Sequence, residues 1–206
     1  MIVGFSDYRS KYDFSNVKGV IHVGAHIGQE YQDYNDCFFP DVPIHWFEPQ
    51  NDIYEILVDN LKGKKNNHFY NFGLGSSNSK LKIWRETENN GQSASFSQPE
   101  KHIEIYPHIK FEESEELEIR TLDSFEIRNA NVLVIDVQGF EMEVLKGAIE
   151  TLDVIDHIFC EINSDKLYKD SPTVDDLNSI LIPKGFNLKE NWWTSGNWGD
   201  GYWNRN

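Results

Sequence analysis

Four consecutive apolar residues, Val132-Leu133-Val134-Ile135, stop at Asp136 and are followed by Gln138-Gly139. A strand with one solvated face alternates apolar and polar side chains. An unbroken apolar run of strand length instead suits a strand covered on both faces, as in a parallel sheet sandwiched between helices. The run is therefore expected at the centre of an α/β fold. Beyond Gly139, residues Val144, Leu145, Ala148, Ile149 and Leu152 recur at helical spacing, so a helix is expected to follow the strand.

The same rhythm recurs along the chain. Val20-Ile21-His22-Val23 runs into Gly24-Ala25-His26-Ile27-Gly28, a strand and tight turn with a helix expected from near Gln29. Pro43 to Phe47 leads to Glu48-Pro49, and Ile53, Ile56, Leu57 and Leu61 form a helical stripe. Further strands are expected over 68–74, 81–84, 117–119 (at an edge), 155–162, 186–192 and 201–204, with a helix over 173–181 that Thr173 caps. Asn89-Asn90-Gly91 reads as a turn and 92–99 as a loop. Residues 100–116 contain Glu112-Glu113-Ser114-Glu115-Glu116, whose like charges repel; they are expected to form an exposed or mobile connection, unless the cluster is simply a solvated face.

Strands alternating with helices predict a mostly parallel sheet joined by right-handed crossovers, with ligands beyond the C-terminal ends of the strands. At those ends stand His22/Gly24, Glu48, Leu74, Asp136 and Glu161. A glycine at a strand-to-helix turn lets a ligand approach the backbone, although an ordinary turn needs the same residue. Glu48 follows Gly24 by 24 residues, and an acid there can accept hydrogen bonds from the two hydroxyls of a ribose. Pro49 then ends the strand. Asp136 is either a site carboxylate or a turn cap, and Glu141 either a site group or the acidic residue of a helix start. Glu161 interrupts an apolar strand and needs a partner or solvent. His22, His26, His102 and His108 are candidate general bases, each with an ordinary structural role as the alternative. Trp192, Trp193, Trp198, Tyr202 and Trp203 crowd the C-terminus among Gly196, Gly199 and Gly201. These rings either flank a sugar or an adenine or close the core, the latter most of all for Trp203.

Composition narrows the partners. A chain of 206 residues suits one domain over 1–206, with a full core. Its 19 Lys and Arg against 34 Asp and Glu give a formal charge of -15, with no cationic stripe, which makes nucleic acid and anionic membrane poor partners. The N-terminus reads as no signal peptide, no apolar run approaches the ~20 residues of a membrane helix, and the two cysteines, Cys37 and Cys160, form no CxxC pair. A cytoplasmic protein is expected, and no compact ligand cluster points to a metal.

The blocks HVGAHIGQEYQDY, HWFEPQ, RTLDSF, LVIDVQGFEMEVLKGA, CEIN and WGDGYWNR, from about residue 20 to 205, resemble the FkbM-type family of S-adenosylmethionine-dependent methyltransferases. The resemblance implies a Rossmann-like, seven-stranded class I sheet with helices on both faces and one antiparallel strand, here Gly201–Asn204. It implies that Gly24, Ala25 and Gly28 surround the amino-acid portion of S-adenosylmethionine, that Glu48 holds its ribose, and that Asp136 borders the methyl-transfer centre. His22, His26, Gln29, Pro49 and Leu74 complete the expected cofactor set. Family members commonly carry an acidic residue where His22 stands, a departure that leaves its role open. Ser93-Ala94-Ser95-Phe96 matches a serine-rich block expected on a loop over the acceptor, within an insertion around 85–116.

The activity implied is O-methylation of a sugar, a glycan or a similar polyhydroxylated small molecule. Asp136, then Glu161 and His26, are the candidate bases, and Ser93, Ser95, Gln138, Glu141, Asn163 and Trp198 are candidate acceptor contacts. Two other readings stay open. A glycine turn followed by an acid also suits a nicotinamide-dependent oxidoreductase, and the C-terminal aromatics suit a non-enzymatic glycan-binding protein.

Overall fold

The computed structural model describes residues 5–38, 40–88, 90–164, 166–194 and 198–205. In chain order the elements are α1 (Phe5–Arg9), β1 (Val20–Val23), α2 (Tyr31–Cys37), β2 (Ile44–Phe47), α3 (Asn51–Asn60), β3 (Asn67–Tyr70), β4 (Gly73–Leu74) and β5 (Ser79–Glu86). There follow α4 (Lys101–Ile105), β6 (Phe111–Arg120), β7 (Val132–Ile135), α5 (Glu141–Lys146), β8 (His157–Asn163), α6 (Val174–Leu181), β9 (Phe186–Trp193) and β10 (Trp198–Arg205).

Seven strands form one sheet in the order β3-β2-β1-β7-β8-β10-β9. β1, β2, β3, β7 and β8 pair in parallel, and β10 runs antiparallel to both β8 and β9. The expected antiparallel terminal strand is thus present and longer than its apolar core suggested. β7 lies at the centre with all four residues fully buried. Leu133 and Ile135 pack with Ile21 and Val23 on one face, Val132 and Val134 with Val20 and Phe159 on the other. Burying such side chains stabilises the fold by about 1.5–3 kcal/mol each, which is why this strand tolerates no polar residue until Asp136.

Thr173 caps α6 in a full capping box: its hydroxyl accepts the Asp176 N–H, and Asp176 accepts the Thr173 N–H in return.

Several expectations are corrected. The strand expected over 68–74 is two strands in different sheets. Asn71 donates its side-chain N–H groups to the carbonyls of Glu48 and Pro49, at 2.9 and 3.2 Å, which holds the chain over the end of β2 before β4 joins β6. Residues 100–116 are not a loose connection: they form α4 and the first half of β6, which pairs antiparallel with β5. The glutamates are tolerated because β5 carries cations opposite them, with Lys82 across from Glu116 and ion-paired to Glu113. Residues 117–119 consequently lie in the middle strand of the three-stranded sheet β4-β6-β5, not at an edge.

The helix after β7 ends at Lys146, and Thr151–Val154 form a separate 3₁₀ turn. The break falls where Gly147 passes so close to the carbonyl of Gly75 that a Cβ would lie 2.0 Å from its oxygen. Asp123 satisfies the next turn, accepting N–H groups from Glu150 and Thr151. Ile149 is consequently 39% exposed. The helix expected from Gln29 begins at Tyr31. Asn89, first residue of the expected turn, and Gly196 lie outside the described residues.

Candidate functional site

Phe47, Val23, Ile135 and Cys160 stand in register across β2, β1, β7 and β8. The residue after each, Glu48, Gly24, Asp136 and Glu161, therefore occupies the next level, where the first three strands end. Asp200 of β10 is the register partner of Glu161. Four acids and one glycine thus share a level at the C-terminal end of the sheet. Asp200, 1% exposed, was not picked out in the sequence, where it is one polar residue within an aromatic run.

The turn after β1 is shaped by its approach to neighbouring strands. The N–H groups of Gly24 and Ala25 both donate to the Phe47 carbonyl at 3.0 Å. Gly24 has φ +81°, and a Cβ there would lie 1.8 Å from the Asp136 carbonyl oxygen, so no side chain fits. His26 follows with φ 45°, which aims its N–H at Oε2 of Glu48, 2.9 Å away. Oε1 of Glu48 accepts the Gln50 N–H, also at 2.9 Å. Glu48 is 3% exposed, and burial raises its pKa against the opposing pull of these N–H groups.

A cleft of about 540 Å³ opens beside this carboxylate. Of the sequence-predicted residues it is lined by Gly24, His26, Glu48, Pro49, Leu74, Ser95, Asp136 and Gln138. Its apolar wall, Phe72, Ile83, Phe96 and Phe140, and its polar Gln50 escaped sequence reading. Ile83 comes from β5 and Phe96 from the loop at 90–98, whereas Gln50, Phe72 and Phe140 follow β2, β3 and β7 of the larger sheet.

That loop is fastened at several points. Nε2 of His26 donates to the Asn90 carbonyl (2.8 Å), and Ser95 Oγ donates to the Gln138 carbonyl (2.6 Å). The Tyr168 hydroxyl donates to the Ser93 carbonyl (3.0 Å). The His26 nitrogen that faces the loop is therefore the donor of this contact.

Asp136 and Glu161 are joined through Gln138. This residue sits at φ 56°, and its Nε2 donates to Oδ1 of Asp136 at 2.8 Å and to Glu161 Oε2. Burial, reinforced by the charge of Asp136, pushes the Glu161 carboxyl far above the carboxylate range. Burial acts to raise Asp136 too, but hydrogen bonds from Glu161 and Gln138 hold it below its ordinary value. The two carboxyls titrate as a coupled pair, shifted in opposite directions, Glu161 up and Asp136 down.

The other candidates do not line the cleft. His22 is buried behind it, Nδ1 at 2.9 Å from the Tyr34 hydroxyl and its ring against Trp46. Burial pushes its pKa down to about 3, so it is neutral and structural here. Ala25 packs in the core, and Gly28 abuts Leu57. The Gln29 amide lies 3.3 Å from Nδ1 of His26. Glu141, fully buried, accepts the Gly139 N–H at 2.8 Å and braces the turn after β7, and burial raises its pKa to about 7. Ser93 is buried beneath Tyr168. Trp198 and Asn163 face each other across β10 and β8. Among the described residues no group of three or more His, Cys, Asp or Glu could hold a metal ion, and no helix is long and apolar enough to cross a membrane.

The family model of the methyltransferase FkbM domain matches residues 22–188. The 2-O-methyltransferase NoeI of Sinorhizobium fredii is 31% identical over 81 residues, which are 37% of this chain and 33% of that protein. Among solved structures, methyltransferase FkbM from Methylobacillus flagellatus superposes with a TM-score of 0.60 at 14% identity, over 95% of this chain and 45% of that one. Magnesium protoporphyrin IX methyltransferase from Synechocystis, solved with bound S-adenosylmethionine, superposes with a TM-score of 0.55 at 8% identity, over 98% and 76% of the two chains. The chain thus spans a third of the curated relative and under half of the first of these structures, and likeness at such identities shows the fold alone.

Proposed function

The chain belongs to the FkbM methyltransferase family, and from that premise we propose that it is an S-adenosylmethionine-dependent O-methyltransferase acting on a hydroxyl of a sugar, a glycan or a similar polyhydroxylated small molecule. The observation that carries the reading is Glu48. Oε2 holds one backbone N–H, from His26, and keeps a lone pair for a ribose hydroxyl at the edge of the cleft, while Oε1 takes the backbone N–H of Gln50 and, at 3.4 Å, its side-chain amide. Gln50 adds a buried, unpartnered Oε1 on the same wall. The aromatic wall of the cleft suits a nucleoside base.

S-adenosylmethionine supplies a sulfonium methyl group, already electrophilic, so the protein's tasks are alignment, exclusion of water and acceptance of a proton. The acceptor oxygen forms its bond to the methyl carbon as the carbon–sulfur bond breaks, with that electron pair remaining on sulfur. The hydroxyl proton passes to Asp136. A carboxylate with a low pKa suffices, because an alkylated oxygen that still carries its proton is a much stronger acid than a carboxylic acid. Glu161, already protonated, fixes the orientation of Asp136 rather than accepting the proton. The segment around 85–116 closes the site, with the loop at 90–98 as the part that opens. The 2-O-methyltransferase relative supports oxygen as the nucleophile, and the buried cysteines Cys37 and Cys160, which form no disulfide, accord with a cytoplasmic setting.

The test is incubation with labelled S-adenosylmethionine and a panel of glycans and polyols, followed by mass spectrometry for a gain of ~14 Da, one CH₂. Titration with S-adenosylhomocysteine and NADH accompanies it. Binding of the first alone supports the reading. Binding of NADH alone favours an oxidoreductase, and sugar binding without either nucleotide favours a glycan-binding protein.

A further inference from the structure

Asn163, the last residue of β8, is 2% exposed, and neither its side-chain nitrogen nor its oxygen has a hydrogen-bond partner. Folded chains rarely leave a whole amide unspent in this way, because its donor and acceptor both gave up water on folding. The conclusion is the same for either orientation of the amide, since both ends are free. Alternation along β8 puts Asn163 on the sheet face of Glu161, about 7 Å further along, just past the level shared with Asp136. Its partner across β10 is the half-buried Trp198. An unsatisfied amide, paired across the sheet with an aromatic residue, therefore stands at the last position of β8 on the face of Glu161.

We infer that Asn163 binds a second hydroxyl of the acceptor, adjacent to the one that is methylated, so that the substrate class is a vicinal diol. The inference rests on the methyltransferase reading and adds the group that selects the acceptor. An amide with donor and acceptor both free is matched by a neutral hydroxyl, which also offers both. An ammonium would use only the amide oxygen. A phosphate or carboxylate would use only the nitrogen and would meet the charge on Asp136. The spacing agrees: neighbouring sugar hydroxyls lie about one hydrogen-bond length apart. A hydrogen bond to Asp136 at one hydroxyl and one to Asn163 at the other spans the offset of about 7 Å.

The experiment screens methyl pyranosides, their monodeoxy counterparts and simple monohydric alcohols with labelled S-adenosylmethionine, using wild type and Asn163→Leu. Leu fills nearly the same volume without polar atoms. The expected result has three parts. Asn163→Leu melts at a higher temperature, S-adenosylhomocysteine binds it within about twofold of wild type, and kcat/KM for the diol falls by about tenfold or more. Removing the neighbouring hydroxyl from the substrate should cost wild type a similar factor and cost the variant almost nothing, since the two changes delete one interaction. Equal sensitivity of both proteins to the missing hydroxyl overturns the assignment, as does wild-type activity confined to monohydric alcohols. Binding of S-adenosylhomocysteine without turnover of any diol also overturns it while leaving the cofactor reading intact. Failure to bind S-adenosylhomocysteine at all sinks that reading instead. Asn163→Ser, smaller and still polar, serves as the second variant and should keep part of the discrimination.

Discussion

The backbone N–H of His26 donates to Oε2 of Glu48 over 2.9 Å, so one buried carboxylate ties the turn after β1 to the end of β2. Two residues 22 positions apart are thereby held as one wall of the cleft. Burial raises the pKa of this carboxylate, and the N–H groups of Gln50 and His26 pull it back.

Glu48→Ala removes that acceptor and leaves the N–H groups of His26 and Gln50 without it. S-adenosylhomocysteine should bind more weakly by about 2 kcal/mol or more, a factor of roughly 30, as read by calorimetry. Unchanged affinity would remove Glu48 from the site.

Gly24 and Gly63 have nearly the same backbone, φ +81° and +80°, in opposite surroundings. At Gly63 nothing lies within 4 Å of an added Cβ, whereas at Gly24 the Asp136 carbonyl oxygen is 1.8 Å away. Gly63→Ala should cost about 1–2 kcal/mol in urea unfolding, the price of a left-handed alanine. Gly24→Ala should cost about 4 kcal/mol or more, or prevent folding. Equal losses would mean that the close contact between β1 and β7 is absent in solution.

Asp136 and Glu161 should respond unequally to neutral replacement. Asp136→Asn removes the charge and should lower turnover by about 100-fold or more, with cofactor affinity changed little. Glu161→Gln replaces a group that is already protonated by a near-isostere, and turnover should stay within about tenfold of wild type. Steady-state kinetics of both variants check the division, and the opposite order would move the charge to Glu161.

Burial raises the Glu141 carboxyl to about 7 in the folded protein, above its ordinary 4.5. Between those values the native state binds more protons than the unfolded one, so this group's contribution to stability is present at low pH and lost as pH rises through 7. Oε1 takes the Gly139 N–H, and Oε2 is buried without a partner. Glu141→Gln keeps the Gly139 bond and needs no deprotonation. Its stability relative to wild type should therefore grow between pH 4.5 and 7, by of order 2–3 kcal/mol, in parallel denaturation curves. His22 has the opposite sign: its pKa falls from 6.5 to about 3, so its contribution is lost as pH drops through that range, and His22→Gln should flatten the acid side.

Much of the sheet was legible because its signals are local. The unbroken run in β7 announced a central strand, the Thr173 cap marked α6, and Gly24 and Glu48 announced strand ends that do meet at one cleft. The reading failed where charge pattern stood in for structure. The connection expected at the glutamates of β6 is a strand paired with β5, although the other reading of them, a solvated face, holds, since Glu112, Glu113, Glu115 and Glu116 are exposed. His26 gave no hint in the sequence that its Nε2 meets a carbonyl 64 residues away, at Asn90.

Strand periods, caps and sharp turns follow from backbone geometry within a few residues, so the amino-acid order alone determined the class of fold and the ends where a ligand would lie. Register, burial and the position of a shared proton depend on distances between strands far apart in the chain. Only the tertiary structure put Asp136, Glu161 and Asp200 on one level, shifted the first two carboxyls in opposite directions, and left the amide of Asn163 unspent on the face of Glu161.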